Sequence, residues 1–138
     1  MELDHICHAV RKIDAASSVL TRFLGYQPKT EKVENTRQQV VVQFFSKPGA
    51  LDIKLIEPSN RDSPLVAFLK KGEGLHHLGY KVDDVSESLE TLKAQGARIT
   101  AEPQPGEAFD EELIAFAYLG SGLSIELIDT DKRRNLIG

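Results

Sequence analysis

The chain has one cysteine, Cys7, no marked excess of positive charge, and no apolar run near the roughly 18 residues needed to span a bilayer. A lone cysteine excludes an internal disulfide, and nothing near Met1 reads as a charged-then-apolar signal segment. A reducing cytoplasmic location is therefore expected. The net charge of −4 argues against nucleic acid as a partner, because that affinity rests on Lys and Arg neutralising phosphates. The one basic cluster, Lys132, Arg133 and Arg134, falls in a polar stretch that reads as a solvated tail. No membrane partner is expected either. What remains is a chain of 138 residues, 41% hydrophobic, enough for one domain that needs neither disulfides nor a structural metal to hold its core.

Within that chain a repeat stands out at an offset of 72 positions. The segment from Leu3-Asp4-His5 to Val10 matches the one from Leu75-His76-His77 to Val82. The same shift carries Phe44 onto Phe116, and Ile53-Lys54-Leu55-Ile56 onto Ile125-Glu126-Leu127-Ile128. Each copy reads as a strand (2–10, 74–82), an amphipathic helix (15–23, 85–95) and three further strands. These are placed at 26–34, 37–46 and 50–57, then at 97–102, 112–119 and 123–129. Val19, Leu20 and Phe23 recur at helical spacing in the first helix, and Val85, Leu89 and Leu92 in the second. Gly25 and Gly96 follow where a left-handed cap would use glycine. The predicted fold is α+β: two tandem βαβββ modules forming a cup-shaped, partly closed β-sheet. The first module spans 1–60, a linker helix lies in 61–73, the second module spans 74–131, and 132–138 form the tail.

Alternation along strands sorts side chains by face. His5, Cys7 and Ala9, with His77, Gly79 and Lys81, are expected on the face away from the helices. Lys54 and Glu126 share that side. Phe44 and Phe116 are assigned to the helix side, leaving Val41, Gln43, Phe45, Ala115 and Ala117 to line the cup. His8 and His76 alternate to the helix side and are expected to be structural.

A half-buried strand that places His, Lys and Glu on its inner face needs a reason, since an unpaired buried charge is costly. Two readings are open. Two imidazoles and a carboxylate, His5, His77 and Glu126, suit zinc, nickel, cobalt, manganese or ferrous iron with positions left for a substrate oxygen. Alternatively, Glu126 pairs with Lys54 and the histidines hydrogen-bond locally.

The arrangement resembles the vicinal-oxygen-chelate superfamily, which includes glyoxalase I, extradiol dioxygenases and bleomycin-resistance proteins, and within it looks most like methylmalonyl-CoA epimerase. The resemblance runs from LDHICHAV through DIKLIEP, DSPLVAFLKKGEGLHHLGYKVDD and LKAQGARI to LSIELID. It implies a homodimer, and metal ligands at His5, Lys54, His77 and Glu126. Lysine departs from the family's neutral or acidic ligand. A protonated lysine about 4 Å from a dication is repelled by roughly 8 kcal/mol at an effective dielectric near 20. A second departure is Gln43, on the third strand, where the resemblance implies a carboxylate base.

The expected function is metal-assisted proton abstraction next to the carbonyl or thioester of a small molecule, an isomerase or lyase activity. Glu126 would be the base, and either a metal on His5, His77 and Glu126 or Lys54 itself would be the cation. A metal-free binding or resistance protein with a Lys54–Glu126 ion pair is the alternative, and an extradiol-type dioxygenase a further one. Gln43, Phe45, Ala115 and Ala117 are expected to shape the substrate pocket. Phe109, in the loop 106–110, is a candidate substrate-binding residue, either a lid over the cup or an ordinary anchoring aromatic. Cys7 is expected to fill the cup floor.

Overall fold

The structure, a computed structural model, describes residues 1–138. Strand β1 (Glu2–Ala9) leads into helix α1 (Ile13–Leu24), followed by β2 (Gln27–Pro28), β3 (Val33–Asn35), β4 (Val40–Ser46) and β5 (Asp52–Pro58). Helix α2 (Pro64–Leu69) connects to β6 (Gly74–Lys81), α3 (Val85–Ala94), β7 (Arg98–Gly106), a 3-10 turn (Glu107–Phe109), β8 (Glu112–Gly120) and β9 (Leu123–Ile128). The segment expected as one strand at 26–34 is two short ones. Pro28 cannot donate to a ladder, and β2 stops there.

The helix ends follow local chemistry. Gly25 adopts φ 73° and its N–H closes back on the carbonyls of Leu20 and Thr21, the left-handed cap that ends α1. Ser63 caps α2 by accepting from the Leu65 N–H, with Pro64 in the first turn, and Asp84 caps α3 by accepting from the Glu87 N–H.

All nine strands form one sheet in the order β2-β4-β5-β1-β6-β9-β8-β7, with β3 paired to β4, and the sheet is not closed into a barrel. β1 and β6 run antiparallel at the centre. Each has a parallel neighbour from its own half, β5 beside β1 and β9 beside β6. The 72-residue repeat thus becomes a pseudo-twofold arrangement about the central pair.

Helices α1 and α3 cover one face. Val10, Ile13, Leu20, Phe45 and Leu55 pack together beneath α1, and Val85, Leu89, Ala115, Ala117, Ile125 and Leu127 beneath α3. The expected buried face of α1 is only partly right: Leu20 is buried, but Val19 is 47% and Phe23 68% exposed. Ile13, one residue past the N-cap, fills the place instead. The opposite face is covered by α2 and the 3-10 turn, which pack Leu65, Leu69, Ala108 and Phe109 onto Cys7, Val42, Phe44 and Ile114.

The packing reverses one part of the facing pattern. Phe44 pairs with Lys54 and Phe116 with Glu126 across antiparallel ladders, and directly opposed residues share a face. Phe44 and Phe116 therefore lie in the cup. Val41, Gln43, Phe45, Ala115 and Ala117 lie under the helices, so the four expected to shape the pocket, Gln43, Phe45, Ala115 and Ala117, do not line it. Gln43 instead donates to the Thr30 carbonyl at 2.9 Å. The physical reason is that alternation fixes parity within a strand, whereas hairpin register fixes it between strands.

Leu89→Ala, which removes a buried anchor of α3, should cost about 3 kcal/mol of stability in urea denaturation with a cooperative transition retained.

Candidate functional site

Four side chains from four strands meet at one carboxylate oxygen. Glu126 Oε1, on β9, lies 3.0 Å from His5 Nε2 on β1 and 3.4 Å from His77 Nε2 on β6, and it accepts a 3.1 Å hydrogen bond from Lys54 Nζ on β5. All four residues are buried, His5 and Glu126 completely. The His77 contact is too poorly aligned to be a hydrogen bond, so His77 Nε2 is buried without a partner, as is the other carboxylate oxygen, Glu126 Oε2.

Close backbone approach makes room for His5. Gly79 pairs with His5 across β1 and β6, and a Cβ at position 79 would run into the imidazole ring. Phe44, Phe109 and His77 surround the ring with centroids 5.6, 5.9 and 6.0 Å away. Phe116 packs edge-on against His77 at 5.4 Å. Lys54 Nζ sits 5.4 Å from the Phe109 ring centroid, a cation–π contact. Phe109 has no exposure and packs in the core beside the cluster.

Behind His5 lies a chain of charge that the sequence pattern does not reveal. The His5 Nδ1 is 2.8 Å from Asp4 Oδ2, and Arg133 donates to the same oxygen at 2.6 Å. Arg133 lies over the rings of Phe44 and Phe109, at 4.4 and 5.0 Å. Contrary to the expectation of a solvated tail, Arg133 is buried. The tail is tied down by Arg134 N–H to the Ala108 carbonyl and by Ile137 N–H to the Lys29 carbonyl, both at 2.9 Å. With Nδ1 turned to Asp4, His5 aims Nε2 at Glu126 at 3.0 Å.

His76 is also placed differently from expectation. Cys7 pairs with His77 but His8 with Leu75, so His76 is the extra residue of a β-bulge, and bulges re-aim side chains. Its Nδ1 comes within 2.8 Å of His77 Nδ1, and its ring packs on Phe68 at 4.9 Å. His8 is exposed.

The environment polarises these groups in definite directions. Burial pushes the Glu126 carboxyl upward, but the Lys54 charge with the His5 and His77 contacts outweighs it and holds Glu126 well below the usual carboxylate range. Burial, reinforced by Lys54, pushes His77 down to about 3 and His76 to about 4, so both are neutral near pH 7. Burial pushes the Cys7 thiol up to about 12, which leaves it an inert filler.

A cavity of about 550 Å3 opens on this cluster. Lys54, His76, His77 and Phe116 line it, with Arg37 and Gln104 among the other lining residues. Glu126 and His5, both fully buried, do not line it.

By donor type and spacing, His5, His77 and Glu126 can hold a divalent metal, with ligand atoms within 4.8 Å of one another. The unpartnered His77 Nε2 and Glu126 Oε2 are the atoms such an ion would satisfy. Lys54 stands against it. A metal about 2.1 Å from the glutamate oxygen would be at most about 5 Å from an ammonium bonded to that oxygen, a repulsion of roughly 6 kcal/mol at an effective dielectric near 20. Stripping the proton from an ordinary lysine amine at neutral pH costs about 5 kcal/mol instead. With Lys54 charged, the residues present do not fit a resident dication.

Comparison with known proteins agrees with this architecture. Residues 4–116 match the model of the glyoxalase/bleomycin resistance protein/dioxygenase superfamily. An ethylmalonyl-CoA/methylmalonyl-CoA epimerase of Cereibacter sphaeroides is 30% identical over 105 residues, covering 75% of this chain and 77% of that protein. The crystal structure of methylmalonyl-CoA epimerase from Mycobacterium tuberculosis superposes with a TM-score of 0.82 at 28% identity, covering 93% of this chain and 87% of that one. A methylmalonyl-CoA epimerase in complex with methylmalonyl-CoA and NH4+ superposes with a TM-score of 0.81 at 27% identity, covering 94% of each chain.

Two outcomes follow from the site geometry. Gly79→Ala should displace the His5 ring, lowering stability and shifting the His5 ring resonances in NMR spectra; unchanged resonances would contradict the close packing. Acidification should also weaken the fold. An unfolded histidine takes up its proton near 6.5, whereas His77 and His76 resist until about 3 and 4, so the unfolded state binds more protons across that window. Stability measured in urea should fall as pH drops from 7 toward 4, with Glu126 adding to the loss below the usual carboxylate range. His77→Gln should flatten the upper part of that curve.

Proposed function

The chain belongs to the glyoxalase/bleomycin resistance/dioxygenase superfamily, and from that premise we propose that it catalyses proton transfer at the carbon next to the carbonyl of an acyl thioester. The carrying observation is the convergence of a buried carboxylate, a buried ammonium and two imidazoles beside a cavity of about 550 Å3 that Lys54 and His77 line. Acyl-CoA thioesters of the methylmalonyl class are the substrates to try first, because the related epimerases are named for them.

Glu126 is the proton acceptor in this reading. The substrate C–H bond breaks, its electron pair moves toward the carbonyl oxygen, and the proton passes to the carboxylate; its return from there, after exchange with solvent, completes the cycle. Paired with Lys54, Glu126 is a weak base. Lys54 lines the cavity on a flexible stem, so movement of its ammonium toward the substrate would uncover Glu126 and remove the charge that depresses its basicity. A relative has been seen with methylmalonyl-CoA and an ammonium ion together; here Lys54 carries an ammonium of its own.

Gln43 supplies no second base, since it lies under the helices and donates to Thr30. His77 Nε2 lies 3.4 Å from the same Glu126 oxygen and so on the same side as the base, which leaves Glu126 to return the proton itself. One observation favours a second reading, a binding protein without catalysis: the Lys54–Glu126 pair is closed, and Glu126 has no exposure.

The test is incubation with methylmalonyl-CoA and ethylmalonyl-CoA in deuterated water, following label at the α-carbon by mass spectrometry. Incorporation well above the spontaneous rate is expected, with Glu126→Gln lowering it by about a hundredfold or more. Tight binding of the thioester without exchange would favour the binding protein.

A further inference from the structure

We propose that Lys54 is the resident cation of this site, its ammonium supplying beside Glu126 the positive charge that a divalent metal would and taking up the negative charge that develops on the substrate's carbonyl oxygen. The inference rests on the reading above for the substrate, but its exclusion of metal does not. Three features of the structure support it.

The ammonium is placed rather than incidental. Lys54 Nζ donates to Glu126 Oε1 at 3.1 Å and lies 5.4 Å from the centroid of Phe109, so a carboxylate and an aromatic ring both hold its charge in place. The anchoring ring is itself fixed, because Phe109 is fully buried and packs on His5 and Phe44.

Position in the repeat is the second feature. Lys54 and Glu126 occupy equivalent places in the two halves, each opposite a phenylalanine on the neighbouring strand, Phe44 and Phe116. The pseudo-twofold arrangement therefore brings a cation and an anion from matching positions to one point, and the pair balances its own charge. Placing a dication there as well would leave the buried cluster with excess positive charge, which is unfavourable away from water.

The third feature is access. Lys54 lines the cavity, whereas the fully buried Glu126 and His5 do not, so the ammonium is the charged group of the pair that an incoming carbonyl oxygen can reach. A positive charge already held at the wall where the carbonyl oxygen arrives can take up a developing oxyanion after a short swing of the flexible lysine stem away from Glu126.

The experiment is calorimetric titration of the purified protein with zinc, cobalt and nickel, with elemental analysis of the protein before titration, applied to wild type, Lys54→Gln, Lys54→Met and Lys54→Gln combined with His77→Ala. The wild type should carry no stoichiometric transition metal. Lys54→Gln and Lys54→Met should bind one equivalent about a thousandfold more tightly than wild type, and adding His77→Ala should abolish that gain. Near-stoichiometric metal in the wild type, or wild-type affinity within tenfold of the lysine variants, would overturn the proposal, and the wild-type arm decides this even if a variant fails to fold. Because the readout is metal binding, failure of thioester chemistry leaves this test intact.

Discussion

Everything around the candidate site is arranged about one atom, the Oε1 oxygen of Glu126. A fully buried carboxylate is tolerated only when charge or hydrogen bonds compensate its lost hydration, and here three strands each send a partner to it. Lys54 supplies full charge, His5 and His77 supply ring nitrogens, and Phe44, Phe109 and Phe116 exclude water around them. The central antiparallel pairing of β1 with β6, flanked by the parallel strands β5 and β9, is what brings these residues within reach, so the sheet topology and the site are one construction.

The convergence is legible in the sequence because of the repeat. A constant offset ties His5 to His77 and Lys54 to Glu126, and period-2 alternation puts all four on one face. The same alternation misplaces Gln43, Phe45, Ala115 and Ala117. Parity within a strand is a local property, whereas the partner opposite Phe44 depends on how the hairpin from β4 to β5 closes, and an aromatic residue suits either buried face. A sheet buried on both sides removes the polar contrast that would resolve the choice.

Two other misses have different causes. The bulge that turns His76 toward His77 consists of one unpaired residue in an otherwise regular strand, and nothing in Leu75-His76-His77 announces it. Arg133 is hidden by its neighbours, because a run of three basic residues reads as solvated, whereas the fold threads the tail back so that only the middle one is buried against Asp4. That contact gives the C-terminal segment a place in the site: Arg133 and Asp4 together hold the Nδ1 side of His5, and this holds its Nε2 toward Glu126.

Which cation faces Glu126 decides the chemistry of the site. The most direct measurement is an anomalous-scattering map from crystals of the protein grown in excess zinc. Lys54 in that role predicts its Nζ within hydrogen-bond reach of Glu126 and no zinc peak among His5, His77 and Glu126. A peak bonded to those three residues, with Lys54 displaced, would contradict it.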